Sequence, residues 1–439
     1  MRFTATQIAE VTGGALVTDQ PTGADTVCDG VSIDSRTVGA GALFVPIVAE
    51  RDGHEFIEQA LLAGAAAYLT SQEPVGGTAI VVADTQRALA ALGREARRRH
   101  GGPVVAITGS VGKTSVKDLA AAAIGIDLKV HASERSFNNE LGVPLTLCNA
   151  PTDTDVLIVE MGARGIGHID DLCAIAEPTV GVVTWVGAVH TSEFGSIEAV
   201  ARAKGELVQA LPPSGTAVLN LDSPEVAAMQ EKSFAPVVTY GRNAMVSATG
   251  IELDDELRPE FTVLVDGHRH RVTLPVHGVH HVSNALAAIA AAHAVGVPAD
   301  RAAIGLRSAA MSPWRMELHQ AESGARIIND AYNANAISTA AALQSLATLR
   351  ADRRVAVLGQ MAELGDRHDE DHAAMARLAA ELGIELIAYR ELAYGPAPVA
   401  TLDEAVDAIG RLGAGDAVLV KGSRVAGLEA LADRLVTQS

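Results

Sequence analysis

Aromatic side chains are scarce in this sequence: seven Phe, five Tyr and two Trp among 439 residues, although 48% of the chain is hydrophobic. Its cores must therefore be built from Ala, Val, Leu and Ile. Positive charge is also short. Lys and Arg number 34 against 53 Asp and Glu, a formal net charge of −19, which argues against nucleic acid or another polyanion as the main partner but leaves room for small anions held by loops. No apolar run approaches the ~20 residues needed to span a bilayer, so no membrane partner is expected. The start, Met1 to Glu10, lacks the apolar core of a signal peptide and reads as a first amphipathic helix. The three cysteines, Cys28, Cys148 and Cys173, lie far apart without metal-ligand spacing and are expected as buried thiols of a reducing cytosol. What remains is an acidic, cytoplasmic α/β chain, long enough for two to four domains.

The densest signal lies at residues 103–119. A β-branched run (Val104, Val105, Ile107) ends in a Thr-Gly turn, passes Gly109, Ser110 and Gly112 to Lys113, Thr114 and Ser115, and enters an Ala/Leu-rich helical stretch. Strand, glycine loop and helix in that order are the context of a phosphate-binding loop. Glycines let successive N–H groups face one concavity, and the helix adds its positive end. Lys113 would reach the terminal phosphates and Thr114 would ligate Mg²⁺. Ile107 stands where the common pattern has its first glycine. An ordinary glycine turn into a helix is the plainer alternative.

Three units are expected, 1–100, 101–312 and 313–439. The first ends at Arg97-Arg-Arg-His-Gly-Gly-Pro, where the arginine run reads as a solvated helix end before a boundary. The second alternates strand and helix signals, which favours a mainly parallel sheet. In it the strand ending at Glu160 puts an acid at the edge where open α/β sheets bind ligands. His190 follows the next strand; each could serve a metal or be an ordinary paired or loop residue. The helix from Ser196 carries Ile197, Val200, Ala201 and Val208 on one face, and Lys204 falls on that face. Such a lysine snorkels to water or places its head group at the phosphates. Residues 215–275 look like β-rich excursions. His280 and Asn284, four apart, share a helix face where a ring can stack on a base and an amide can pair with adenine, although capping and packing explain the spacing equally. After a hinge at Ser312-Pro-Trp-Arg, alternation returns and suggests a small Rossmann-like sheet.

Taken together these stretches resemble the Mur ligases, cytoplasmic ATP-dependent amide-bond-forming enzymes of peptidoglycan synthesis, whose relatives include folylpolyglutamate synthetase. The resemblance covers the whole chain. It rests on Thr108-Gly-Ser-Val-Gly-Lys-Thr, a shortened phosphate loop, and on Ser136-Phe-Asn-Asn-Glu-Leu-Gly-Val-Pro, Glu160-Met-Gly-Ala-Arg-Gly, Asn329-Asp-Ala-Tyr-Asn-Ala-Asn and Val420-Lys-Gly-Ser-Arg. Within the family it is most similar to the branch that joins D-alanyl-D-alanine to a UDP-N-acetylmuramoyl-tripeptide. An Asp-Asn-Pro-Arg stretch, which resembles the diaminopimelate signature of the preceding ligase, is absent. Ala336 and Pro46-Ile-Val-Ala49 depart from the family pattern.

The resemblance implies an N-terminal α/β domain for the uridine nucleotide, a central ATP-binding domain and a C-terminal Rossmann-like domain. It implies ATP and Mg²⁺, with Glu160 and His190 at the metal and Lys204 carbamylated as a further ligand. Asn138 and Asn139 would lie near the phosphates, with Asn284 at adenine and His280 beside it. Arg315 and Asp330 would reach ATP from the hinge and third domain. Asp34, Ser35 and Arg36 would meet the uridine nucleotide. Asn333, Lys421, Ser423 and Arg424 would face the dipeptide or acyl phosphate. A monomer is expected. The competing readings are a sibling ligase with another acceptor, a P-loop kinase or motor ATPase, and a non-catalytic nucleotide-binding protein.

Overall fold

The computed structural model describes residues 1–19, 22–134, 136–187, 194–362 and 364–437. Strand Val104–Thr108 is buried along its whole length, as a parallel strand covered on both faces should be. It pairs in parallel with Val156–Glu160 on one side and Val180–Val183 on the other. Its alternating side chains supply two cores: Val104 and Ala106 join one cluster, Val105 and Ile107 the other. This sheet has nine strands among the described residues. Thr216–Asn220 and Val237–Tyr240 continue it in parallel, and Val246–Leu253, Pro259–Val265 and His268–Thr273 close it as an antiparallel edge. The stretch expected as β-rich excursions is thus partly main sheet and partly its extension.

Two five-stranded, mainly parallel sheets flank it in sequence. The first contains Ala15–Thr18, Thr78–Val81, Ala67–Thr70, Leu43–Phe44 and Val31–Ser32. The other orders Glu317–Gln320, Arg326–Asp330, Asp416–Lys421, Arg353–Leu358 and Glu385–Ala388. Apart from a two-stranded sheet near the N-terminus, the α/β class with three main sheets in chain order is as expected.

Two local expectations are corrected. Residues Arg2–Thr4 form a strand against Val27–Asp29, and the first helix starts only at Ala5, where the Thr4 hydroxyl caps it. The arginine run is not a solvated helix end throughout. Arg97 is buried, and its Nε donates to the carbonyls of Ala176 and Glu177 at 3.0 and 3.1 Å. With Arg94 on Ala174 O at 2.8 Å, it closes the C-terminal end of helix His168–Ala176, where cations are favoured. All three cysteines are buried free thiols, and burial pushes their pKa up to about 12.

Candidate active site

The glycine loop closes against two neighbours, which is why it needs glycine. Gly109 has φ of +147°, and a Cβ there would stand 2.0 Å from Thr184 Oγ1; Gly112 has φ of +81°, with Asn284 Oδ1 at 2.8 Å from such a Cβ. Ser110 N–H donates to Trp185 O at 2.7 Å, and Thr184 Oγ1 donates to Val111 O at 2.5 Å. Helix Lys113–Gly125 starts from Gly112 with no side-chain cap, so its first N–H groups remain available to an anion. Lys113 Nζ folds back onto Gly109 O at 2.9 Å.

Strand register sets Glu160 beside this loop, opposite Ile107. Its carboxylate is 1% exposed. It accepts from Thr114 Oγ1 at 2.7 Å and from Asn138 Nδ2 at 2.8 Å. The same Thr114 oxygen accepts from Arg315 at 2.8 Å, a contact across 201 residues of sequence. Arg315 stacks its guanidinium on Tyr332 at 4.2 Å, and its buried Nε has no partner. A buried hydroxyl beside a buried carboxylate held only by neutral donors is a hard-oxygen set that suits Mg²⁺. Lys204 lies on helix Ile197–Ala210 at 2% exposure, its Nζ 5.9 Å from the centre of the Phe194 ring. His190 lies outside the described residues.

The third sheet presents its carboxyl ends to the same cleft. Asp330 and Lys421 are register partners on adjacent strands, and Lys421 Nζ meets Asp330 Oδ2 at 2.6 Å and Asn333 O at 2.8 Å. Lys421 is 1% exposed, so the charge is compensated by this pairing rather than by water. The other Asp330 oxygen accepts Met316 N–H at 3.1 Å. Ser423 Oγ is buried without a partner. Arg424 lies over Trp314 at 4.4 Å and pairs with Glu429 at 2.7 Å.

On the base side, His280 and His281 lie 4.3 Å apart between ring centres. Asn284 Nδ2 meets His281 Nδ1 at 3.3 Å. His280 Nδ1 and His281 Nε2 are buried and unpartnered. Burial pulls His280 down to about 4 and His281 well below its ordinary range, so both rings are neutral near pH 7. A neutral His281 that accepts the amide at Nδ1 carries its proton on Nε2 as an orphan donor.

One cavity of about 1030 Å³ joins these groups; its lining includes the loop residues Ser110, Gly112, Lys113, Thr114 and Ser115, with Asn138, Asn139, Glu160, Lys204, His280, Asn284, Arg315, Asp330, Asn333, Lys421, Ser423 and Arg424. Asn139 Oδ1 also accepts Gly142 N–H at 2.9 Å, at the start of helix Gly142–Asn149. Asp34, Ser35 and Arg36 do not line it. Arg36 bonds Asp34 at 2.7 Å and holds its carboxyl at about 2, while Ser35 donates to Gln59 at 3.0 Å. Sequence reasoning missed His281 and Tyr332. Both stand inside stretches already singled out, and His281 lies three residues from Asn284, on the same helix face.

Three family descriptions match the chain: the Mur ligase family catalytic domain over 28–100, the Mur ligase middle domain over 107–292 and the Mur ligase glutamate ligase domain over 314–424. The UDP-N-acetylmuramoyl-tripeptide–D-alanyl-D-alanine ligase of Mycobacterium tuberculosis is 40% identical across 99% of this chain and 98% of its own length. MurF from Acinetobacter baumannii superposes with a TM-score of 0.89 at 29% identity, covering 99% of both chains. The Thermotoga maritima MurF ligase, in complex with ADP, gives 0.78 at 25% identity over 92% of this chain and 96% of that one.

Proposed function

We propose a division of labour for a chain that belongs to the Mur ligase family. It is an ATP-dependent ligase that adds D-alanyl-D-alanine to UDP-N-acetylmuramoyl-tripeptide in peptidoglycan synthesis. The observation that carries the assignment of residues is the chain of contacts Asn138–Glu160–Thr114–Arg315, in which the central sheet and the segment leading into the third sheet meet at one oxygen.

A carboxylate is a poor electrophile, so ATP first phosphorylates the tripeptide's terminal carboxylate. The dipeptide amine then attacks the acyl phosphate, and phosphate leaves from a tetrahedral intermediate. Transfer between two anions needs charge neutralisation and in-line positioning. Lys113 and the first-turn N–H groups of its helix hold the phosphates. Arg315 leaves Thr114 for the transferred phosphoryl group. His281 Nε2–H, His280 and Asn284 receive the base, and Asp330 the ribose. Lys421, Asn333, Ser423 and Arg424 face the dipeptide, with the unpartnered Ser423 hydroxyl as a ready donor. Thr114, Glu160, His190 and a carbamylated Lys204 would hold Mg²⁺, which when bound supplies neutralising charge at the phosphates. Asp34, Ser35 and Arg36 serve the uridine end from the first unit. The units 1–100, 101–312 and 313–439 close on one another to exclude water from the acyl phosphate. No helix among the described residues is long and apolar enough to cross a membrane; the enzyme acts as a cytoplasmic monomer, without nucleic acid.

Phosphate release with ATP and the UDP-muramoyl-tripeptide against a panel of amines tests this reading. Release should require D-alanyl-D-alanine. Equal or faster turnover with meso-diaminopimelate or D-glutamate on their own nucleotide precursors would overturn the acceptor and leave the ligase chemistry standing.

A further inference from the structure

The cavity continues beyond the phosphate loop toward the first unit, and two charged side chains there have no role in the chemistry described above. Arg164 and Asp171 both line it and are both exposed. Neither side chain has an ion pair or hydrogen bond among the described residues. Arg164 follows Glu160 by four residues, so their Cα atoms lie within about 14 Å even along an extended chain. Gln86, in the first turn of helix Thr85–His100, lines the same cavity.

The wall that carries Asp171 is held at both ends. Glu206 accepts from the N–H groups of Gly167, Ile169 and Asp170 at 2.6, 3.1 and 3.1 Å, at the N-terminus of helix His168–Ala176. Arg94 and Arg97 take carbonyls at its C-terminus. Glu206 thus takes three of the N–H groups at the N-terminal end of the helix, and the exposed Arg164 guanidinium is the cationic donor for an arriving anion. An arriving cation meets Asp171.

This rests on the ligase reading. With the tripeptide's terminal carboxylate at the phosphates, the third residue's side chain is the part free to extend along the cavity. A side chain that ends in an ammonium and a carboxylate on one carbon, as in diaminopimelate, finds an opposite charge for each group. A lysine side chain gains Asp171 but sets its ammonium beside an unpaired guanidinium, and selectivity follows from that repulsion as well as from the lost pair. We propose that Arg164 and Asp171 form the subsite for the third residue of the tripeptide and select a zwitterionic side chain over that of lysine.

The test compares two UDP-N-acetylmuramoyl-tripeptides, with meso-diaminopimelate or L-lysine third, as substrates of the full-length enzyme with ATP and D-alanyl-D-alanine. The wild-type kcat/KM should favour diaminopimelate by roughly tenfold or more. Arg164→Met should collapse that ratio by slowing the diaminopimelate substrate, and Asp171→Asn should slow both. Both positions are exposed, so an unchanged melting temperature is expected of each variant. A wild-type ratio near one, or an Arg164→Met that slows both substrates equally, overturns the subsite. Failure to ligate either precursor overturns the ligase reading itself, which keeps the two failures apart.

Discussion

The Thr114 hydroxyl donates to Glu160 and accepts from Arg315, so its proton and a lone pair are both committed before any ligand arrives. Thr114→Val keeps the volume and removes both bonds. It leaves a buried carboxylate oxygen and a guanidinium N–H without that partner, and takes one oxygen from the metal set. Turnover should fall by about 10²-fold or more, and the Mg²⁺ concentration that half-saturates nucleotide binding should rise. An unchanged Mg²⁺ titration would remove Thr114 from the metal's neighbourhood. The histidine pair makes a separate prediction. His280 is held near 4 against an ordinary 6.5, and His281 is held well below 6.5, both by burial. Below pH 6.5 the unfolded chain takes up protons that the native rings refuse. Stability is therefore complete above 6.5 and is lost as pH falls toward 4, by up to ~1.4 kcal/mol per pH unit for each ring. His368 works in the opposite direction, since Asp369 and Glu391 raise it, and its contribution is lost as pH rises. Comparing denaturant unfolding of His281→Asn with wild type between pH 4.5 and 7.5 isolates one ring. The variant's slope should be shallower by about one proton, and parallel slopes would show that His281 is not kept neutral by the fold.

Helix Ile197–Ala210 brings Lys204 to the wall of the cavity. Lys204 shares the buried face with Val200, Ala203, Leu207 and Val208, which makes snorkelling to water a poor account of it. A carbamate formed from its amine and CO₂ would be a two-oxygen anion suited to Mg²⁺. Lys204→Ala should cost about 10²-fold or more in turnover with folding largely kept, and short carboxylic acids should restore part of the rate. Labelled CO₂ should give a carbamate carbon resonance in the wild type that is missing from the variant. A fully active Lys204→Ala would end this reading. Lys204 was legible because a single amphipathic helix shows its own buried face. The phosphate loop and Glu160 were legible for a similar reason: glycine loops and strand ends are local, and a parallel sheet brings strand ends together. Arg315 on Thr114 was not, because it depends on how units 201 residues apart dock. Arg97 misled because guanidinium groups usually face water, whereas its carbonyl partners at Ala176 and Glu177 come from 79 and 80 residues away. The start misled because Arg2–Thr4 finds its strand partner at Val27–Asp29, beyond the reach of local periodicity.

Across the whole molecule the first unit and the central sheet are joined differently from the third. Phe3, Ile8, Leu43 and Leu92 pack in one core with Leu145, Leu157 and Ile175. The Met1 ammonium donates to Cys148 O and Ala150 O at 2.6 and 2.9 Å, and Asn149 exchanges two hydrogen bonds with the Val31 backbone. The third sheet has its own cores and meets the rest through discrete contacts. Arg315 on Thr114 is one of these, and Ser312 N–H on Asp118 at 2.7 Å fixes the end of the central unit just before it. Another comes from the central sheet's antiparallel edge, whose turn between Val246–Leu253 and Pro259–Val265 inserts Leu257 among Leu343, Leu346 and Ile328. Arg326 donates to Asp255 O at 3.0 Å beside it. Leu257 is 2% exposed and holds φ of +64°, a conformation that a leucine adopts only against resistance. Its anchoring must therefore outweigh both the strain and the lost freedom of the turn. Leu257→Ala should cost about 2–5 kcal/mol in that contact, and Leu257→Gly should lose the same packing but recover ~1 kcal/mol of backbone strain. Calorimetry should show the transition of the third unit moving down in both variants, further in the alanine one, while that of the first two units stays in place. Turnover should fall with it, since Arg315, Asp330 and Lys421 all lie on the loosened side. A single transition that shifts as one block would show instead that the three sheets unfold together, and that the Leu257 contact stabilises the whole chain rather than the docking of one unit.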